Sequence, residues 1–208
     1  MGCRWRRCCC SWPASRRHSS RSTAPEWSTA GPKPPGVQAN IALIARTVAQ
    51  YEPVTLCANP AGAPAARSAC GPSVTVLDTI PVDDCWMRDT GPVFTDTDAW
   101  SQDARRQYQI LSTSTDAQGT PFAVTQLQGP DHRLIRSTDP KFVAAYANYC
   151  VCNGAVISTQ FGDARADAAA KATLQRLFPD RVVEQLDLDS LGAGGGGIHC
   201  VTQQQPRP

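Results

Sequence analysis

The sequence predicts an α/β fold. Strand-like and helix-like segments alternate along the body of the chain, two of them carry the apolar stripe of a helix laid on a core, and an Asn-Gly dipeptide separates two apolar runs. Residues 36–51 place Val37, Ile41, Ile44, Val48 and Tyr51 on one helical face. Glu52-Pro53 stops that helix, since proline cannot continue the ladder of N–H donors, and Val54 to Ala58 then reads as a strand. Ser73 to Thr79 alternates as a second strand. Tyr146 to Cys152 and Ala155 to Gln160 flank Asn153-Gly154, a dipeptide suited to a type I′ hairpin turn. Ala164 to Phe178 is a second helix with Ala170, Leu174, Leu177 and Phe178 on one face. Pro179-Asp180 ends it, and Arg181 to Leu186 returns as a strand.

Composition excludes several classes of function. Of 208 residues, 41% are apolar, which is ordinary for a globular chain. No apolar stretch approaches the ~20 residues that span a bilayer. The formal net charge is +2, yet six arginines and no acid fall within residues 1–25. The remainder is therefore net acidic, which argues against a nucleic-acid surface. There is no P-loop and no glycine fingerprint for a dinucleotide.

The head, residues 1–25, is rich in Arg, Ser and Cys and has no apolar core of a secretory signal. It reads as a disordered segment, a wrongly assigned start of the gene or an organelle transit peptide, and is set outside the fold, which leaves residues 26–208 as one domain. Met1-Gly2 opens like an acylation signal, but Arg6 stands where Ser or Thr is wanted. Four of the ten cysteines lie in the head, at no zinc-like spacing. The other six, Cys57, Cys70, Cys85, Cys150, Cys152 and Cys200, fall mostly in apolar, strand-like runs, as buried free thiols of a reducing compartment do.

Three segments stand out. Residues 83–94 read DDCWMRDTGPVF, residues 146–163 read YANYCVCNGAVISTQFGD, and residues 194–206 read GGGGIHCVTQQQP. A glycine run is usually a linker. Four glycines set against a cysteine, with little chain after them, instead suit a backbone that passes close to a ligand. In this order the three segments resemble the W-x-R-D-x-G-P, Y-x-N hairpin with F-G-D, and active-site cysteine motifs of the agmatine deiminase and bacterial-type peptidylarginine deiminase family, within the penteins. The likeness runs over roughly residues 26–208.

That resemblance implies a propeller of ββαβ units converging on a central site, and hydrolysis of a guanidine. Agmatine and water would give N-carbamoylputrescine and ammonia, a step of putrescine and polyamine biosynthesis. Cys200 matches the family's nucleophile and Asp89 its guanidinium-binding carboxylate. Trp86 is a wall over the planar cation, Arg88 shares the motif, and Asn148 is a site-lining amide. Gly195, Gly196 and Gly197 bring backbone close to the ligand. The residues alone leave blander roles open: a strand thiol for Cys200, a turn for Asp89, core packing for Trp86, a salt bridge for Arg88. His199 is a poor base for Cys200, because neighbours on a strand point to opposite faces. His132 reads as a surface residue. No metal or organic cofactor is implied. The partner is a small guanidine, with no nucleic acid or membrane, and a homo-oligomer stays open. The location is cytoplasmic by default, or a plastid or mitochondrion if the head is a transit peptide.

One family element is missing. The family's G-H-x-D segment supplies a general acid/base and a second guanidinium ligand, and this sequence has no His-x-Asp. The missing block is expected near residues 96–107. Five ββαβ units of average length need about 240 residues, more than residues 26–208 provide, so fewer than five full blades are expected. A deiminase of arginine or peptidyl-arginine is the alternative within the family. A catalytically inactive, truncated member is the alternative of a different class.

Overall fold

The computed structural model describes residues 5–11, 35–79, 105–106, 108–139 and 142–206. Trp86, Arg88, Asp89 and Cys85 lie outside the described residues, as does most of the 96–107 region.

Two sheets pack about one helix. The first has the order β3-β2-β1-β7, formed by β1 (Trp5–Ser11), β2 (Val54–Cys57), β3 (Val74–Leu77) and β7 (Thr202–Pro206). Strand β2 is parallel to both β1 and β3, and β7 is antiparallel to β1. Residues 108–113 form an exposed helical segment, α3. The second sheet has the order β4-β5-β6, from β4 (Cys150–Val151), β5 (Ala155–Gln160) and β6 (Val182–Asp187). Here β4 and β5 form a hairpin, and α4 (Ala164–Leu177) carries the chain to β6, parallel to β5. Hairpin, helix, parallel strand is one ββαβ unit. Strands β7 and β1, helix α1 (Pro35–Val48) and β2 repeat the pattern with strands from distant parts of the chain.

Helix α1 is the centre of the core. Val37, Ile41, Ile44 and Val48 are almost fully buried, and so are Ala42 and Ala45 on the adjoining face. A helix buried on more than one face is sandwiched between layers. Its cluster takes Val54 and Leu56 from β2, Ala155 and Ile157 from β5, and Ile198 and Val201 beside the glycine run. Tyr51 packs against this cluster and donates its hydroxyl to Glu184 at 2.8 Å. That carboxylate and burial push the Tyr51 phenol up to about 12.

Several expectations need correction. The head is not outside the fold: residues 5–11 are β1, between β2 and β7. The backbone groups of two strands would otherwise lack ladder partners there. The 153–154 turn closes the hairpin, but Gly154 is not among the positive-φ glycines, so it is not type I′. Gly154 N–H donates to Cys152 O, and Asn153 N–H donates to Glu52 Oε2 at 2.8 Å, so a carboxylate from another element holds the turn. The strand expected from Tyr146 pairs only at Cys150–Val151, because Tyr146 is buried against Phe161 instead. In α4, Ala170 and Leu174 are buried, but Leu177 is exposed and Asp167 takes a core-facing position. Cys70 lies in helix α2 (Ala63–Cys70), not in a strand. Cys57, Cys70, Cys150, Cys152 and Cys200 are free thiols.

Glu52 gives a pH-dependent test. It is buried, Oε1 has no hydrogen-bond partner, and desolvation raises its pKa against the opposing pull of the Asn153 N–H. The folded state thus keeps this proton longer than the unfolded state. Stability present below the unfolded carboxyl value is lost as pH rises towards the folded one. Glu52→Gln, which keeps an acceptor for Asn153 and removes the charge, is expected to raise the thermal midpoint at pH 7. At pH 3 it should leave the midpoint nearly unchanged. Equal shifts at both values in a thermal melt would refute the assignment.

Candidate active site

The site is built where the second sheet meets the glycine run. After β6, helix α5 (Asp189–Ala193) ends at Gly194, the chain turns through Gly195 at φ +89°, and Gly197 leads into the short helix α6 (Ile198–Val201). Ile198 and Val201 anchor α6 in the core, while Cys200 is half-buried and His199 exposed. The strand expected to carry Cys200 therefore begins two residues later, at Thr202. Four residues closed by a Thr202 hydroxyl donating to Ile198 O at 2.8 Å form one helical turn instead. The exclusion of His199 by strand alternation consequently no longer holds.

Asn148 is tied to Cys200 directly. Its Nδ2 donates to Cys200 Sγ at 3.2 Å, and its Oδ1 accepts the His199 N–H at 2.8 Å. The backbone N–H fixes the amide orientation, because a flipped amide would set donor against donor. An N–H aimed at sulfur is placed where the charge of a thiolate would sit. Gly197 is required by space: a Cβ there would come within 2.6 Å of the Asn148 side chain. Gly195 serves differently, supplying a left-handed turn with nothing within 4 Å of its Cβ position. Of the three glycines expected to approach a ligand, Gly196 and Gly197 line the adjoining cleft and Gly195 does not.

That cleft is narrow, with a cavity volume of about 10 Å³, and opens to solvent. Asn148, Gly196 and Gly197 form the side next to Cys200, and Val143, Ala145 and Leu188 give apolar walls. Phe161, Thr159 and Gly192 complete the lining. Sequence reasoning missed these wall residues, although F-G-D and the period of two along β5 point Thr159 and Phe161 to a common side. No group of acids, histidines and cysteines that would hold a metal occurs among the described residues.

The F-G-D segment is structural. Asp163 caps α4 by accepting the Ala166 N–H at 3.1 Å and also accepts the Asp131 N–H at 3.0 Å. These donors hold its carboxyl below the usual range. His132 is exposed.

The model of the Porphyromonas-type peptidyl-arginine deiminase family matches residues 5–101 and 95–206. The chain belongs to this family. Among members with curated names, an agmatine deiminase of Pseudomonas fluorescens SBW25 is 36% identical over 115 residues, 48% of this chain and 31% of that protein. A Streptomyces coelicolor protein with a provisional agmatine deiminase name is 41% identical over 100 residues, 48% of this chain and 29% of its own length. The matched part spans about a third of these curated relatives. Among solved structures, agmatine deiminase of Enterococcus faecalis superposes with a TM-score of 0.75 at 16% identity, over 99% of this chain and 94% of that one. The C. jejuni agmatine deiminase gives 0.67 at 12% identity, over 99% and 94%. The family's fold is thus established, a pentein-type α/β propeller. No helix among the described residues is long and apolar enough to cross a membrane.

Proposed function

We propose that this family member is an agmatine deiminase acting through Cys200. The observation that carries the reading is the Asn148 amide, 3.2 Å from Cys200 Sγ at the edge of a glycine-lined cleft. A delocalised guanidinium is a poor electrophile and needs a strong nucleophile. The Cys200 thiolate adds to the guanidinium carbon, one amino group of the adduct takes a proton from solvent and leaves as ammonia as the C–N bond breaks, and an amidino-cysteine forms. Water then adds to that carbon and gives up its two protons to solvent as the C–S bond breaks, returning the thiolate and releasing N-carbamoylputrescine. Asp89 holds the guanidinium as a two-pronged acceptor, Trp86 covers its face and Arg88 supports the same motif. The reaction is a step towards putrescine in the cytoplasm, with no cofactor.

Agmatine is preferred to arginine or peptidyl-arginine because the relatives at 36% and 41% identity carry agmatine deiminase names. A second reading, an incomplete chain that does not turn over, is favoured by the absence of His-x-Asp and by a family match in two pieces meeting at 95–101. Loss of a general acid/base costs about 10² to 10⁴ in rate.

Two measurements separate these readings. Ammonia release from agmatine by the 208-residue chain, abolished by Cys200→Ala, is the result expected of an active deiminase. Labelling by a guanidine-mimicking haloamidine tests the nucleophile without requiring turnover. Cys200 should be alkylated ahead of Cys57, Cys70, Cys150 and Cys152. Equal labelling of all of them would sink the assignment, whereas selective labelling without ammonia release would identify the inactive member.

A further inference from the structure

Resting on the reading of the cleft as a guanidine site, we infer that Thr159 is a substrate-contacting residue whose hydroxyl accepts a hydrogen bond from a guanidinium N–H. Period two along β5 assigns its side chains to two layers. Val156 packs with Leu174 and Val183 beneath α4, whereas Ala155 and Ile157 pack in the cluster around α1. Ser158 follows Val156, and its hydroxyl is sealed there without a partner. Thr159 follows Ile157 to the opposite face, is 5% exposed and lines the cleft. Among the described residues nothing hydrogen-bonds its hydroxyl.

A hydroxyl on a cleft wall that no described protein group engages can accept a hydrogen bond from a ligand in the cleft. The other polar side chain of the described lining, Asn148, is already committed at both ends, Nδ2 to Cys200 Sγ and Oδ1 to the His199 N–H. Val143, Ala145, Phe161 and Leu188 offer no side-chain acceptor. A guanidinium brings five N–H donors and no acceptor, so each donor taken from water needs an oxygen. Thr159 is the uncommitted side-chain oxygen in the described wall. Its methyl continues the apolar lining, which suits the alkyl chain of the same substrate.

The test is calorimetric titration of agmatine into the full 208-residue chain carrying Cys200→Ala, so that no ligand is consumed. In this background Thr159→Val keeps the volume and removes the oxygen, and Thr159→Ser keeps the oxygen. Thr159→Val is expected to weaken binding about tenfold or more, with Thr159→Ser within about twofold of the parent and all three thermal midpoints close. Undiminished binding by Thr159→Val overturns the inference and leaves the deiminase reading intact. Equal losses in both variants overturn it too, assigning Thr159 to packing. A parent that does not bind agmatine overturns the deiminase reading and this inference with it.

Discussion

Gly197→Ala is expected to slow alkylation of Cys200 by a haloamidine about 10- to 100-fold while leaving the fold intact. The added Cβ would lie 2.6 Å from Asn148 Cγ and 2.9 Å from both its amide atoms. That amide is no flexible side-chain tip, because hydrogen bonds hold it at Sγ and at the His199 N–H. The backbone at Gly197, φ −154° and ψ −163°, suits any residue, so the effect is one of space. Displacing Asn148 removes a donor from the thiolate, and a hydrogen bond to a charged group contributes about 1.5–3 kcal/mol. A double-mutant cycle gives the check. If Gly197→Ala acts through Asn148, adding Asn148→Ala should cost almost nothing more. Additive losses would mean that the two residues act on Cys200 separately.

Asp167→Ala is expected to destabilise the protein by roughly 4 kcal/mol. This buried carboxylate accepts the Tyr146 hydroxyl at 2.7 Å and the Phe161 N–H at 2.8 Å on Oδ1, and the Gly162 N–H at 3.0 Å on Oδ2. Truncation strands two donors, the Tyr146 hydroxyl and the Phe161 N–H, in a buried site, and each unsatisfied donor costs about 1–3 kcal/mol, while the exposed Gly162 N–H can turn to water. Burial, then Asp167 itself, drives the Tyr146 phenol far above its ordinary range, so the hydroxyl stays a donor. Tyr146→Phe removes one of the three bonds and should cost only about 1 kcal/mol. Urea denaturation measures both. An Asp167→Ala loss no larger than that of Tyr146→Phe would show that the two N–H groups find other acceptors. Phe161 lines the cleft, so the same variant should also weaken substrate binding.

Legibility in the sequence followed the density of apolar side chains. Helices α1 and α4 and strands β2, β5 and β6 carry enough Val, Ile, Leu and Ala for their period to be read directly. Strand β1 reads WRRCCCS and β7 reads TQQQP, and neither has an apolar alternation to betray it. Their pairing is with each other and with β2, a property of the backbone that composition does not record. Leu177 misled for the opposite reason: it completes the apolar stripe of α4 but, as the helix's last residue, is 42% exposed. The motif residues Cys200 and Asn148 were legible through the family likeness. Their contact was not, since it joins positions far apart in sequence. The turn at 198–201 hid behind β-branched Ile198 and Val201, which favour a strand until core burial of both on one helical face decides otherwise.

The pairing of β1 with β7 also orders events in time. Its register joins Cys10 to Thr202 and Trp5 to Pro206, nearly the whole length of the chain apart. Closing so large a loop comes late in folding, because its entropy must be offset by contacts that form earlier. Strand β1 is made before β2 and long before β7, and it lacks one of its two neighbours until β7 pairs with it. Cys200 lies two residues before the start of β7, so the thiol acquires its fixed place only when that strand docks.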